Sequence, residues 1–162
     1  MTPSTISAKS TFSLVGDLKV ELVYSDRKEI WFEERNLITL SGKNQLLSPL
    51  FLSGLTSDPV TTLKAGNGGT VDPQGLFPKQ VNSAMTSLFN TIISVPTTYT
   101  NNPSNPSVTF LADITEAQCN GQLVNEAALF TGSNNMFNIK TFGGIPKTSA
   151  FSIHFEWTIS IT

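Results

Sequence analysis

The chain has a single histidine, His154, and it stands two residues from Ser152 and two from Glu156. Serine, histidine and carboxylate are the residue types of a nucleophilic relay. Their spacing works against one. In an extended strand, residues two apart lie ~6.6 Å from each other on the same face, so these side chains stand side by side instead of linking head to tail. A surface histidine is the expected reading. Cys119 is the only cysteine, and with His154 it forms no metal-ligand spacing. It also excludes an intrachain disulfide. Asp58, Asp72, Asp113 and Glu116 are scattered without calcium-loop spacing. Gly66-Asn67-Gly68-Gly69 lacks the G-x-G-x-x-G order of a dinucleotide cradle, and no helix follows it. A mobile or contact loop is expected there. Neither a catalytic residue nor a cofactor or metal site emerges, and no enzymatic activity is expected.

His154 belongs to the clearest pattern in the chain. From Ala150 to Thr162, Phe151, Ile153, Phe155, Trp157, Ile159 and Ile161 fall on one parity. Polar residues occupy the other, which predicts a long strand with one buried and one wet face. Phe151, Ile153, Phe155, Trp157 and Ile159 are therefore the expected core. A row of large apolar side chains needs a covering layer, and no long amphipathic helix exists to supply it. A facing sheet is expected instead.

The rest of the chain supports that reading. Residues 1–10 are rich in Ser and Thr and carry no marked period, which predicts an extended arm. With few large apolar residues, the arm would gain order only by contact, for instance by adding a strand to another subunit's sheet edge. Residues 12–24 and 29–36 read as a hairpin around a turn at 25–28, and Asp17 to Arg35 holds ten charged residues of mixed sign, expected to pair on a wet face. Residues 39–54 are the one helix candidate, with Thr39 or Ser41 as cap, Gly54 as stop and Pro49 inside. Strands are expected near 60–65 and 87–98, with Gly/Pro-rich loops at 66–78 and 100–107. Strands at 108–115, 123–130, 136–142 and 149–162 read as a four-stranded meander. The fold class is mainly β: an antiparallel β-sandwich or jelly-roll-like barrel over residues 11–162, with a short helix around residues 40–53 and an extended arm at residues 1–10.

Composition limits the partners. The 162 residues carry a formal net charge of −2 and few charged residues overall. Nothing suggests the basic face that nucleic acid requires. No apolar run approaches the ~20 residues of a membrane span, so no membrane partner is expected. The N-terminus has neither the basic nor the apolar region of a signal peptide. A weakly charged, hydroxyl-rich surface suits either a neutral soluble domain or a protein packed against neighbours. Ile6, Trp31, Asn67 and Asn102 are the residues singled out for partner contact, Trp31 because one of the Trp31-Phe32 pair must face out. Trp31, Tyr24, Tyr99 and Trp157 could alternatively stack on sugar rings.

Three patches together resemble a widespread group of small tailed-bacteriophage virion proteins. They are RNLITLSGKNQLLSPLF at 35–51, NGQLVNEAALF at 120–130, and MFNIKTFGGIPKTSAFSIHFEWTISI at 136–161. The matching residues are Arg35, Asn36, Leu37, Ile38 and Thr39; Glu126, Leu129 and Phe130; and Lys147, Trp157, Thr158 and Ile159. Residues 55–107 match only loosely. The resemblance implies a non-enzymatic structural part of the particle, made in the bacterial host cytoplasm and located in the virion. It implies capsid decoration (cement) first, with tail or baseplate as the alternative. The implied partners are the major capsid protein, or tail and baseplate proteins, and further copies of the chain. A carbohydrate-binding receptor-recognition module is the reading of a different class. Among the motif residues, Glu126 lies beside apolar neighbours and calls for a partner. Lys147, at the start of the final strand, is the candidate for an ion pair, and a solvated Glu126 at a strand edge is the other reading.

Overall fold

Phe151, Ile153, Phe155, Trp157 and Ile159 are all buried, and they form the inner row of the C-terminal strand, Phe151–Ile161. The computed structural model describes residues 13–51, 54, 56–102 and 104–162; for Leu50, Phe51 and Asn102 it describes the backbone alone. The arm at residues 1–10, with Ile6, and the side chain of Asn102 therefore lie outside what is described.

The elements run β1 (Leu14–Tyr24), β2 (Lys28–Arg35), β3 (Leu37–Ile38), α1 (Leu40–Phe51), β4 (Val60–Gly66), β5 (Thr91–Pro96) and β6 (Thr98–Asn102). They continue with β7 (Ser107–Ile114), β8 (Leu123–Thr131), β9 (Asn138–Pro146) and β10 (Phe151–Ile161). Two antiparallel five-stranded sheets result, ordered β2-β1-β10-β7-β6 and β3-β9-β8-β4-β5. The fold is a β-sandwich. β10 lies at the centre of the first sheet, hydrogen-bonded to β1 from Leu14↔Ile161 to Tyr24↔Phe151 and to β7 on its other side. Its inner row meets Leu63, Ala65, Ala127, Leu129 and Ile145 of the second sheet in one core cluster. Each of the larger side chains, such as Leu63, Leu129 and Ile145, contributes ~1.5–3 kcal/mol when fully buried.

The last four strands are not a meander. β7 pairs with β10, and β8 pairs with β9, so the chain crosses between sheets after β7 and again after β9. Alternation specifies the faces of a strand but not its neighbour, so both arrangements satisfy the same sequence pattern. β9 also extends to Pro146, through residues 143–146 that read as a turn.

The outer face of the first sheet carries the expected charge pairs. Lys19 meets Glu21 at 2.8 Å and Glu156 at 3.6 Å, and Arg35 lies 3.9 Å from Asp17 across the hairpin. Such exposed pairs contribute ~0–1 kcal/mol each. α1 begins at Leu40, and the Thr39 hydroxyl accepts from the Gly42 amide at 3.0 Å while donating to the Met136 carbonyl at 2.7 Å. One threonine thus caps the helix and ties it to the approach to β9. Pro49 sits in the final turn, where a missing amide disturbs few helical bonds.

Candidate functional site

β8 is buried on both faces, which a two-layer sandwich alone does not explain. Ala127 and Leu129 face the core, while Ala128 and Phe130 join Met136, Ile139 and Leu88 in a second cluster on the outer side. The cover is the irregular segment between β4 and β5, residues 67–90, whose Val81 and Met85 pack on that cluster. Few apolar side chains and little regular structure hold this segment. Polar groups of β8 hold it instead.

The β8–β9 register shifts between Val124 and Glu126. In a regular strand, successive side chains point to opposite faces. The bulge lets Asn125 and Glu126 both reach the covering segment. The Glu126 carboxylate accepts from the amides of Gly68 (3.1 Å), Asn90 (2.8 Å) and Phe89 (2.9 Å). Asn125 accepts from the Gly69 amide at 2.7 Å and donates to Thr70 Oγ1 at 2.9 Å. Thr141 of β9 adds a bond to the Lys79 carbonyl at 2.7 Å. Both ends of the segment are thereby tied to one fully buried carboxylate.

The glycine run exists for this contact. A Cβ at Gly66 would lie 2.3 Å from the Asn90 carbonyl oxygen and 2.4 Å from Glu126 Oε1, and one at Gly69 would lie 2.3 Å from the Asn125 carbonyl oxygen. The 66–69 stretch is therefore pinned within the chain, which removes the mobile half of the mobile-or-contact reading. The Gly68 and Gly69 amides already serve side chains of β8. Asn67 is likewise engaged within the chain: its side chain donates to Gln122 Oε1 at 2.9 Å and accepts from the Asn90 side chain.

The expected Glu126–Lys147 ion pair does not form. Glu126 lies opposite Thr141, whereas the Lys147 amide donates to the Gln122 carbonyl, just before β8 begins. The buried Lys147 ammonium donates to the Thr148 carbonyl at 2.6 Å, Asn120 Oδ1 at 3.2 Å and the Glu116 carbonyl at 3.4 Å, and it lies 5.3 Å from the Phe151 ring centre. Burial holds its pKa below the ordinary lysine range. Each charge satisfies itself on loop backbone, which answers the same desolvation problem as a pair.

Beyond the glycines the covering segment forms a small hairpin. Thr70 bridges Pro78, and the Val71 amide donates to the Phe77 carbonyl at 2.9 Å. Asp72 closes its turn by accepting from the amides of Leu76 (2.9 Å) and Phe77 (2.7 Å). Gly75 takes a left-handed φ of 77°, and its carbonyl accepts from Gly144 at 2.7 Å. The hairpin presents Val71, Leu76 and Phe77 to solvent at 70%, 67% and 62% exposure. Trp31 stands beside it on β2: its indole N–H donates to the Gly143 carbonyl at 3.2 Å, next to the Gly144–Gly75 contact. Trp31 is 44% exposed, while Phe32 turns inward onto Phe142 with ring centres 4.9 Å apart. The result is an exposed apolar surface on a hydrogen-bonded frame.

The hairpin supplies a pH test. Hydrogen bonds, first that from the Leu76 amide, hold the Asp72 carboxyl below its ordinary pKa. A depressed carboxyl stabilises the fold above its unfolded pKa and loses that contribution as pH falls through the folded value. Hydrogen-exchange protection of Leu76 and Phe77 is expected to hold from neutrality down to about pH 4 and to fall below it. In Asp72→Ala protection should be low at every pH. Equal protection in the variant would remove Asp72 as the fastener.

The remaining chemistry-bearing residues disperse. His154 Nδ1 lies 2.8 Å from Asp113 Oδ1, its direct partner on β7, while Glu156 turns to Lys19. Ser152, His154 and Glu156 form no relay. Asp58 holds the 131–135 turn through the Ser133 amide (3.0 Å) and Asn135 (3.3 Å). Among the described residues, no group of three or more His, Cys, Asp or Glu could hold a metal ion. Of the aromatic residues considered for sugar stacking, Trp157 is buried and Tyr24 lies 5.3 Å from Phe151 and beneath Arg27. Trp31 and Tyr99 are exposed, but on β2 and β6, the opposite edges of one sheet.

The pinning of residues 67–90 is what sequence reasoning missed. A lone glutamate before Ala127-Ala128, with glycines crowded at 66–69, was the available signal. No family model, no curated protein and no solved structure matches this chain.

Proposed function

We propose that the chain is a non-enzymatic structural part of a tailed-bacteriophage particle, seated on the capsid surface as a decoration protein. Its partners would be the major capsid protein and further copies of itself. The observation that carries the reading is the apolar surface of Val71, Leu76 and Phe77 beside Trp31. Large apolar side chains held out to water on a fastened hairpin suit protein contact. A preformed surface also loses little conformational entropy on binding. The residues behind the phage-protein resemblance fit a structural part. Trp157 fills the core, Glu126 fastens the loop that bears the surface, and Lys147 fastens the loop before β8.

Purified particles from the cells that make this chain, separated into heads and tails, test the proposal. The chain is expected with heads. Recovery with tails would move it to the tail or baseplate, and absence from both would end the virion reading. A glycan array probed with isolated protein tests the carbohydrate-binding alternative, for which no binding is expected.

A further inference from the structure

Lys147 is 1% exposed, so its amine meets the chain far more than water. It follows β9 and reaches back into the turn that precedes β8. Among the described residues Nζ has three oxygen acceptors: the Thr148 carbonyl at 2.6 Å, Asn120 Oδ1 at 3.2 Å and the Glu116 carbonyl at 3.4 Å. The first and last are backbone oxygens. The second belongs to a carboxamide, whose carbon an unprotonated lysine amine can attack as a nucleophile.

The Asn120 carboxamide is held at both ends. Its Oδ1 accepts from Nζ, and its Nδ2 donates to the Glu116 carbonyl at 2.9 Å. Cγ lies one bond behind Oδ1, so amine and carbon are already placed for reaction, and no bimolecular encounter is needed. Burial disfavours the ammonium and holds the Lys147 pKa below the ordinary lysine range, which raises the share of free amine. Asn120 precedes Gly121, and in an Asn-Gly pair the glycine amide ordinarily closes on the asparagine carbon. Here the Gly121 amide donates to the Lys147 carbonyl at 2.9 Å, with Gly121 at a left-handed φ of 80°. That amide is engaged elsewhere, which leaves Nζ as the amine at hand.

We propose that Lys147 and Asn120 form an intrachain isopeptide bond. Nζ attacks Cγ, the Cγ–Nδ2 bond breaks, and Nδ2 leaves as ammonia with the proton that Nζ gives up. Amine and carboxamide become a secondary amide and ammonia, with no oxidant and no cofactor. Water reaches the exposed Asn120 and Glu116 and carries the protons. The bond closes a covalent loop through β8 and β9, a cross-link that restricts the unfolded chain. It does not depend on the particle.

Intact mass spectrometry of the full chain tests it. After prolonged incubation at mildly basic pH, the mass is expected about 17 Da below the sequence mass, the loss of one ammonia. Trypsin should release one branched peptide that joins residues 80–140 to residues 141–162 through an uncleaved Lys147. Lys147→Arg and Asn120→Ala should each keep the full mass and give only linear peptides. Asn120 is exposed, so Asn120→Ala is expected to fold even if Lys147→Arg does not. An unaltered chain at full mass would overturn the proposal. So would a mass deficit that persists in Lys147→Arg or comes without the branched peptide, because either one is ring closure at Asn120-Gly121.

Discussion

Trp157→Ala is expected to lower stability by ~3–5 kcal/mol, the range for truncating a large aromatic residue in a close-packed core. Trp157 is fully buried at the centre of β10, opposite Leu18 on β1 and Phe110 on β7. No neighbouring element can move in to fill the hole without breaking two ladders. A loss of that size is a large share of the 5–15 kcal/mol of a typical domain. Thr158→Ala, one residue on, removes a hydroxyl that meets Thr109 at 2.8 Å on the outer face, and it should cost about 1 kcal/mol. The indole N–H of Trp157 has no hydrogen-bond partner among the described residues. Trp157→Phe, which removes that orphan donor while keeping most of the ring, should therefore fall between the two. Urea titration of the three variants measures all of this. Equal midpoints for Trp157→Ala and Thr158→Ala would reject the packing of β10.

Glu126→Ala should have the second largest effect, and a different signature. Three backbone amides, those of Gly68, Phe89 and Asn90, lose their acceptor together. Each unpaired donor away from water costs ~1–3 kcal/mol, so the total should reach ~3 kcal/mol or more. The loss should concentrate in residues 67–90. Hydrogen exchange should quicken at those amides while the β1–β10 ladder keeps its protection. Glu126→Gln retains one acceptor oxygen but turns an NH₂ toward a donor, and it should be intermediate. Unchanged exchange at Gly68 and Asn90 in Glu126→Ala would show that other contacts hold the loop.

These two residues mark what was legible in the sequence. The place of Trp157 could be read because β10 alternates without interruption and is inward on one parity throughout. Glu126 could not be read in the same way. A bulge breaks alternation at Asn125–Glu126, and its partners are backbone amides, which carry no side-chain signal. Its neighbours Ala127 and Ala128 hinted at burial, and the natural completion was a basic partner. The fold supplied loop amides instead, and Lys147 took carbonyls. The glycines at 66–69 looked permissive in composition. Their role is close approach, visible only once Asn90 and Glu126 stand against them. The assignment of strands to sheets was hidden for a related reason. β7 and β10 are neighbours in space but separated by two strands of the other sheet.

Copy number on the particle tests the central claim most directly. Quantitative mass spectrometry of purified particles should find this chain in many copies per head. A double variant, Leu76→Ser with Phe77→Ser, should fold with a near-unchanged melting temperature, because both side chains are exposed. Its occupancy should nevertheless fall at least tenfold after washing. A variant that decorates particles as fully as the unaltered chain, or an unaltered chain absent from particles, would contradict the account.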